Sequence, residues 1–466
     1  MYSVKKPEIL SPAGDILSLK AAFAAGADAV YFGLPSFNAR QRAKNIRTED
    51  LPSIVSEASL RGIKLYLTLN TLITETEVRE VIEVIDAAMT AGIKAFIIQD
   101  MGVLYLLKNL FPEAEIHIST QATTHTKGQI AFLAGCGAHR VNLARELDAD
   151  EVRELTEEAH NLGMETEVFV HGSYCLSYSG QCYLCSFLEG TSGNRGLCQQ
   201  NCRRLYRKNG STGYFLNLKD NSALSFAKDL IEFGVDSLKI EGRIKSPAYV
   251  YSVVKAWKHL ISGPDDYRKK EQAEALIDGV FNRDFTDSYL ADNVSSRMFA
   301  DVPADRSMKQ FASVLSYTAD SFTLCMDSDI SSPLPAEIII KENSGRFICA
   351  AVAEEEAQTP ASAAGASAGT AGKKSCGYCY KIKITGKLDG KINRGNAVFA
   401  QRPALSAGEA ENSIDNVIFR KIPLTAKVTA EEGKPLRLEL EAGGKRASYR
   451  SEEHTSELQS HGLISY

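Results

Sequence analysis

Residues 165–208 read ETEVFVHGSYCLSYSGQCYLCSFLEGTSGNRGLCQQNCRRLYRK, and the rest of the chain is arranged around this stretch. The β-favouring run Val168–Val170 predicts a strand that delivers His171 and Gly172 to its carboxyl end. A loop rich in glycine, serine and cysteine follows, where a helix would normally begin. Thiolates gathered by short loops with glycine turns are typical of a metal or cluster site. Half of the ten cysteines fall in this loop: Cys175, Cys182, Cys185, Cys198 and Cys202.

Seven further β-favouring runs flank this stretch, and segments of helical length separate most of them. Glycines such as Gly26 and Gly92 follow these segments and mark the helix ends. Eight β-then-α units over about 250 residues predict a TIM-like (βα)8 barrel, an α/β fold. A doubly wound open sheet is the alternative, but the count of eight and the lack of a GxGxxG turn favour the barrel. The predicted strands are Glu8–Ser11, Ala29–Gly33, Lys64–Asn70, Ala95–Asp100, Glu115–Ser119, Arg140–Ala144, Glu167–Val170 and Ser237–Glu241.

Polar residues follow the predicted strands at their carboxyl ends, where the chemistry of a TIM barrel takes place. The cysteine loop comes after the seventh strand, so it should cover the same mouth. Any single one of these residues could instead be a cap at a strand end. We predict a catalytic set of Gln99, Asp100, Arg145, His171, Glu241 and Arg243.

The chain divides into regions of different texture. Residues 1–265 form the predicted barrel with its cysteine loop at 172–208, and residues 266–310 form a connector. Residues 311–449 predict an antiparallel, β-rich C-terminal domain, interrupted at 354–374 by a flexible low-complexity insertion. Residues 450–466 resemble the translation of a sequencing-library adapter. We therefore expect an artefact there and a natural chain that continues, so that the β-rich domain is truncated.

Composition is that of an ordinary globular protein. The chain has 466 residues, 44% of them hydrophobic, and a net charge of −5, which gives no general argument for nucleic-acid binding. No apolar stretch approaches the roughly 20 residues that cross a bilayer, and residues 1–7 lack the apolar core of a signal peptide. We expect a cytoplasmic protein without membrane segments, whose clustered cysteines serve a metal, a cluster or redox chemistry rather than disulfides.

The spacing of the loop cysteines favours an iron–sulfur cluster. Cys175-x6-Cys182-x15-Cys198-x3-Cys202 supplies the four thiolates of a [4Fe–4S] cluster or of a structural zinc. Structural zinc more often shows two CxxC pairs, and only Cys182-x2-Cys185 is that close. Buried free cysteines are the third alternative. We assign the ligands to Cys175, Cys182, Cys198 and Cys202, with Cys185 as the alternate.

Basic residues crowd the end of the same loop, with Glu189 as the only acid nearby. Tyrosines lie among them, and a basic, aromatic rim can hold a phosphate backbone and stack an extruded base. A solvated loop whose arginines neutralise a cluster explains the pattern equally well. The predicted RNA-binding residues are Arg195, Arg203, Arg204, Arg207 and Lys208.

A peptidase is the rival interpretation of this loop. His171 lies four residues before Cys175 and could form a nucleophile pair with it. No third group is evident to orient the histidine, and the sequence lacks HExxH and GxSxG motifs. Cysteines that ligate a cluster cannot also act as free nucleophiles.

Several motifs occur together: Glu8–Gly14, Tyr31–Gly33, Gln99-Asp100, Glu167–Gly172, the cysteine loop with Asn194–Arg203, and Gly234–Arg243. With these motifs the chain resembles the peptidase U32 family, also called collagenase-like proteases, over about residues 5–290. The resemblance implies a TIM-like barrel and, in several branches, a cysteine-bound [4Fe–4S] cluster. Those branches carry out oxygen-independent hydroxylation with prephenate, a small dicarboxylate, as the hydroxyl donor.

The branches of this family differ in what they hydroxylate. The resemblance implies a uridine of tRNA, a cytidine of 23S rRNA or a quinone precursor as the substrate, and peptidase activity is the older family label. The connector at Phe281–Arg283 and the β-rich extension most resemble the branch that makes 5-hydroxycytidine in 23S rRNA. Many members carry a cysteine where this chain has Ser222, a poor iron ligand. Either Cys202 completes the cluster, or the cluster has only three protein ligands.

Overall fold

The computed structural model describes residues 6–300 without interruption and ten shorter segments of the rest of the chain. These segments are 308–318, 321–326, 337–341, 347–358, 378–385, 392–401, 407–417, 425–431, 434–442 and 445–450. Most of the expected insertion at 354–374 and of the expected artefact at 450–466 lies outside the described residues, so those expectations stay predictions.

The strands of residues 6–300 are β1 (Glu8–Pro12), β2 (Ala29–Phe32), β3 (Lys64–Leu69), β4 (Ala95–Ile98), β5 (Glu115–Ile118), β6 (Arg140–Asn142), β7 (Glu165–Ser173), β8 (Tyr206–Lys208), β9 (Ser211–Gly213), β10 (Asp220–Ser222), β11 (Ser237–Ile240) and β12 (Phe285–Thr286). Strands β1 to β7 pair in sequence order, all parallel. Strand β11 closes the ring by pairing with both β7 and β1. This closed eight-stranded barrel confirms the predicted TIM-like fold, and each predicted strand lies within three residues of its expected bounds.

The helices are α1 (Ile16–Ala24), α2 (Leu51–Arg61), α3 (Val78–Thr90), α4 (Met101–Leu110), α5 (Lys127–Gly135), α6 (Ala149–Asn161), α7 (Leu184–Glu189), α8 (Ala227–Glu232), α9 (Pro247–Ile261) and α10 (Tyr267–Asp278). Short polar side chains start several of them, because a side-chain oxygen satisfies a first-turn N–H that has no partner within the helix. Asp15 accepts from the Ser18 N–H at 2.8 Å, and Asp148 accepts from the Glu151 N–H at 2.8 Å. Helix α9 buries Trp257 and packs against α1 and β1, as expected for the helix that closes the barrel.

The inside of the barrel holds a network of buried charges that the sequence analysis did not foresee. Arg140 donates to Glu8 at 2.8 Å and lies 3.6 Å from Glu167, and Lys239 pairs with Glu167 at 2.6 Å. The Tyr66 hydroxyl donates to Glu8 at 2.8 Å. Burial by itself raises the pKa of Glu167, but Lys239 and Arg140 outweigh it and hold that pKa below its usual range. The network therefore keeps two carboxylates ionised in the centre of the barrel.

The C-terminal part is antiparallel and β-rich, as predicted. Its strands β13 (Met308–Tyr317), β14 (Ser321–Met326), β15 (Glu337–Lys341), β16 (Phe347–Gln358), β17 (Tyr378–Thr385) and β18 (Ala397–Gln401) close into a second, smaller barrel. Strands β19 (Thr425–Thr429), β20 (Arg437–Ala442) and β21 (Lys445–Arg450) form a separate sheet. Strand β16 pairs with β17 as far as Gln358, so the first residues of the expected insertion at 354–374 belong to a strand.

Helix α11 (Ala407–Asp415) connects the small barrel back to the large one. Its Glu409 forms an ion pair with Lys255 and accepts from the Tyr251 hydroxyl at 3.1 Å, both on α9. Cys325 in this domain is disulfide-bonded, whereas the clustered cysteines of the loop are free. No helix of the described residues is long and apolar enough to cross a membrane.

We predict that Arg140→Met lowers the free energy of unfolding by about 3–5 kcal/mol, because it leaves Glu8 and Glu167 buried with too little compensating charge. Urea denaturation of the full chain measures this loss. Arg79→Met is the matched control, since Arg79 pairs with Glu83 on the exposed face of α3 and should contribute nothing measurable. An equal effect of the two substitutions would contradict the structural role of the network.

Candidate functional site

A cavity of about 770 Å³ opens at the carboxyl ends of the barrel strands. Strand ends form its floor and walls, and the cysteine loop covers it, as the order of elements along the chain predicted. Residues that line it include Tyr31, Arg40, Thr68, Asn70, Gln121, Asn142, Arg145, Cys175, Cys182, Cys185, Cys198, Cys202, Lys239, Glu241, Arg243, Lys245 and Arg283.

The cysteine loop leaves the barrel through a close backbone contact. Gly172 has a φ of 111°, and a Cβ built on it would lie 2.6 Å from the carbonyl oxygen of Glu241. Only glycine fits there, so β7 can run past the end of β11 before the loop begins. Strand β10 then pairs antiparallel with this extension of β7, opposite residues 171–173.

Arg203 holds the loop closed over the cavity. Its guanidinium donates to the carbonyl of Tyr174 at 2.7 Å, and to Asn217 Oδ1 and the carbonyl of Leu218 at 2.6 Å each. These contacts join the start of the loop to the segment that follows it. Arg203 therefore braces the loop from the wall of the cavity, where its side chain is half-buried.

The other predicted RNA-binding residues are placed differently. Arg195 pairs with Glu77 at 2.6 Å, and Arg204 pairs with Glu189 at 2.6 Å, so protein carboxylates already compensate both charges. Arg207 and Lys208 lie exposed on β8, in the hairpin with β9. The exposed residues of this set are thus Arg204, which is ion-paired, and the two cations of the hairpin.

All five loop thiols line the one cavity. Cys185 is buried and accepts from the Gln199 N–H at 3.3 Å and from Asn201 Nδ2 at 3.6 Å. The Gln200 N–H donates to Cys198 at 3.4 Å. Donors of this kind stabilise negative charge on sulfur, so the alternate ligand Cys185 is held at least as firmly as the cysteines assigned first.

Among the described residues, no three His, Cys, Asp or Glu side chains are arranged to hold a single metal ion. Burial raises the pKa of Cys202 to about 11, so this group is a neutral thiol at physiological pH while nothing coordinates it. Ser222 pairs with His171 across β10 and β7 and is not among the residues that line the cavity. Ser222 is therefore not placed to complete a set of ligands in this cavity.

Three of the predicted catalytic residues line the cavity: Arg145, Glu241 and Arg243. Glu241 forms an ion pair with Arg40 at 3.2 Å. Arg145 lies over the ring of Phe169, 5.6 Å from its centroid, and its buried Nε has no hydrogen-bond partner. The positions of Glu241 and Arg145 at the mouth were predicted, because each residue follows the end of a strand.

Arg243 is buried, yet only neutral groups hold its guanidinium. It donates to Asn38 Oδ1 and Asn45 Oδ1 at 2.8 Å each and to Thr68 Oγ1 at 3.1 Å. Its Nε has no partner, and burial lowers its pKa to about 10, so the group remains charged at neutral pH. A Cβ on Gly33 would lie 2.3 Å from Nη2, which explains the glycine at the end of β2. The positive charge is therefore available to an anion in the cavity.

The other three predicted residues do not line the cavity. Asp100 caps α4, accepting from the Gly102 N–H at 2.7 Å and also from the Ile73 N–H at 3.1 Å. Gln99 is buried beside it. His171 packs against the rings of Tyr249 and Phe285, and burial lowers its pKa to about 4. The catalytic assignment of these three residues is not supported by their position.

Several cations of the site were missed by the sequence analysis. Lys239 lies under the cavity with its Nζ 4.5 Å from the centroid of Tyr31, and Lys245 lies 3.4 Å from the centroid of Phe281. Arg283 is held by Asp220 at 3.1 Å. Eight arginine and lysine side chains line the cavity against one carboxylate, that of Glu241. In the sequence, the cations that line this cavity could have been found only by their closeness to the ends of strands. Lys239 lies inside a strand, so nothing in the sequence indicated its role.

Three known proteins illustrate what the chain is similar to. A 36% identical match over 306 residues relates the chain to a protein of Porphyromonas gingivalis named collagenase, and covers 60% of this chain and 73% of that one. The 23S rRNA 5-hydroxycytidine C2501 synthase of Escherichia coli is 37% identical over 262 residues, which are 54% of this chain but only 39% of that enzyme. The tRNA hydroxylation protein P1 of Bacillus subtilis is 31% identical over 336 residues, with 68% and 79% covered.

The family match covers the part of the chain that builds the site. The sequence pattern of peptidase family U32 matches residues 14–299, which hold nearly all of the large barrel, the cysteine loop and every residue that lines the cavity. The small barrel and the last sheet lie outside the match. The chain belongs to peptidase family U32.

Proposed function

We propose that this protein is an iron–sulfur-dependent enzyme that hydroxylates a base of RNA without molecular oxygen, with prephenate or a closely similar dicarboxylate as the hydroxyl donor. The observation that carries the proposal is the composition of one cavity, in which five thiols face a wall with eight cations. Relatives named as rRNA and tRNA hydroxylation proteins support the RNA substrate.

A [4Fe–4S] cluster would be held by Cys175, Cys182, Cys198 and Cys202, with Cys185 as the alternate fourth ligand. The donor set fits, because four thiolates are needed and five thiols share the cavity. Thiolates around one zinc ion must lie closer together than those around a four-iron cluster, and the described thiols are not arranged for a single ion. When bound, such a cluster would supply electron transfer or Lewis-acid chemistry beside the base.

The protein's own residues would bind and orient the donor. The two carboxylates of the donor need two cationic contacts. The buried Arg243 would supply one, because its guanidinium donates to neutral amide and hydroxyl oxygens rather than to a carboxylate. Arg145 offers a second donor through its unpartnered Nε. The ion pair of Glu241 with Arg40 lies at the same opening and would exchange partners as the ligand enters.

The alternative is a peptidase, which the name of the Porphyromonas gingivalis relative suggests. That function needs a general base beside the Cys175 thiol. His171 does not line the cavity, and its Nδ1 is buried without a hydrogen-bond partner. The geometry therefore favours the hydroxylase.

We expect anaerobically purified protein to contain about four irons and four sulfides per chain. Cys198→Ala should lose them, whereas Cys136→Ala, at a free cysteine outside the loop, should keep them. Nucleoside mass spectrometry of RNA from a strain lacking the gene should show the loss of one hydroxylated base, restored by the wild type but not by Cys198→Ala. Zinc without iron, or unchanged RNA nucleosides in the deletion strain, would contradict the proposal.

Arg243→Ala should abolish restoration of the hydroxylated base while iron content stays at the wild-type value, because the arginine binds the donor and not the metal. Gly33→Ala tests the same arginine without removing it, since its Cβ displaces Nη2. Titration calorimetry with prephenate should show binding weakened by about ten-fold or more in both variants. Gly128→Ala, which adds a Cβ with open space around it, is the control. Unchanged binding in Arg243→Ala would exclude this role.

His171→Phe should leave iron content and RNA hydroxylation near the wild-type values, because the imidazole lies among aromatic rings. It should also change the pH dependence of stability. The folded pKa of about 4 lies below the ordinary 6.5, so the unfolded chain binds a proton first and stability falls as pH drops from 6.5 to 4. Between pH 7 and pH 4.5, the free energy of unfolding should fall by about 2–4 kcal/mol less in the phenylalanine variant than in the wild type. Urea denaturation at the two pH values measures this difference. Loss of hydroxylation in this variant would instead show that His171 takes part in the reaction.

A further inference from the structure

The outer face of α7 exposes large apolar side chains that the fold does not use. Tyr183 is 71% exposed, Phe187 86% and Leu188 49%. Tyr183 is the residue before α7, and the Phe187 N–H donates to its carbonyl at 3.0 Å, so the two residues are neighbours one helical turn apart. Exposed aromatic side chains that are grouped in this way are candidates for a binding surface.

The same short helix forms part of the cavity on its other side. Cys182, Leu184 and Cys185 line the cavity, while Tyr183, Phe187 and Leu188 are turned to solvent. The apolar face is thus on the rim, directly outside the thiols. A ligand that reaches into the cavity from solvent can contact both sides of α7.

The residues around the exposed face of α7 are mainly basic, which indicates the class of ligand that would bind there. Between residues 172 and 208 there are five arginines and lysines and one acid, Glu189. The Arg204–Glu189 ion pair joins the end of α7 to the segment that leads into the β8–β9 hairpin, where Arg207 and Lys208 are exposed. Aromatic rings next to exposed cations fit a single-stranded nucleic acid, whose bases stack while its phosphates bind the cations.

We propose that Tyr183 and Phe187 form a stacking platform for the RNA bases that flank the target base, with Arg207 and Lys208 at the adjoining phosphates. The inference rests on the proposed function and adds to it the surface that presents the RNA. The platform holds the flanking nucleotides while the target base enters the cavity between the thiols and Arg243. A second copy of the chain fits this face less well, because it would bring two equally basic hairpins together.

The test is binding of a fluorescein-labelled single-stranded RNA of about twelve nucleotides to the anaerobically purified full chain, measured by fluorescence anisotropy. Phe187→Ala should weaken binding about ten-fold, and Phe187→Trp should keep or improve it, because stacking needs an aromatic face. Phe132→Ala is the matched control, since Phe132 is 60% exposed on the outer helix α5. Arg207→Ala should weaken binding and reduce its dependence on salt.

The outcomes separate the platform from the proposed function. If Phe187→Ala binds RNA within two-fold of the Phe132→Ala control, with cellular hydroxylation intact, the platform is wrong and the hydroxylase stands. If wild-type protein binds no RNA and the deletion strain loses no modified base, both fail together. If Phe187→Ala converts a dimer into a monomer on a sizing column without changing RNA affinity, the face is an interface between copies and not an RNA surface.

Discussion

The pairing of β7 with β11 is the contact on which the rest of the site depends. It closes the barrel, and the Glu241 N–H donates to the His171 carbonyl at 2.8 Å where the two strands end. From this point the chain leaves in two directions, through Gly172 into the cysteine loop and through Gly242 to Arg243. Because both segments start at one pair of strands, the thiols and the buried arginine must face the same cavity. A side chain at Gly172 would push the strands apart and separate the two halves of the site.

The interior of the barrel and its mouth differ in how far their positive charges are balanced by carboxylates. In the interior, Arg140 and Lys239 are matched by Glu8 and Glu167, so the buried network approaches neutrality. At the mouth, cations outnumber carboxylates, and Arg243 is held by amides and a hydroxyl where a carboxylate could have been placed. Neutral acceptors position a guanidinium without cancelling its charge. Under the proposed function, thiolates, a dicarboxylate and phosphates would balance the excess of positive charge at the mouth.

The sequence predicted the barrel, the position of the cysteine loop and the placement of Glu241 and Arg243, because strand ends in a parallel barrel share one face. It could not place His171. Alternation along β7 puts Glu167 and Phe169 inside the barrel and should put His171 there too. The register shifts between Lys239 and Ile240, which pair with Phe169 and His171 and leave one extra residue on β7. Such a bulge reverses the side to which the next residue points, so His171 packs against Tyr249 outside the barrel. No residue pattern indicated this bulge. Asp100 is the N-cap of α4, which is the alternative that the sequence left open for each residue at a strand end.

Helix α7 connects the chemistry of the loop to its surface. With six residues it is too short to be stable by itself, so its anchors decide whether it forms. The anchors are two cysteines. The sulfur of Cys185 accepts from Gln199 and Asn201, and the backbone N–H of Cys182 donates to Asn194 Oδ1 at 3.1 Å. Gln200 adopts a left-handed φ of 55°, and its N–H donates to the sulfur of Cys198 at 3.4 Å. Metal bound by Cys182 and Cys198 would tie both ends of this arrangement together and fix the ring of Phe187 on the rim. If the proposed cluster and the proposed RNA platform are both correct, the affinity for RNA should depend on whether the cluster is bound, since one helix would carry both contacts.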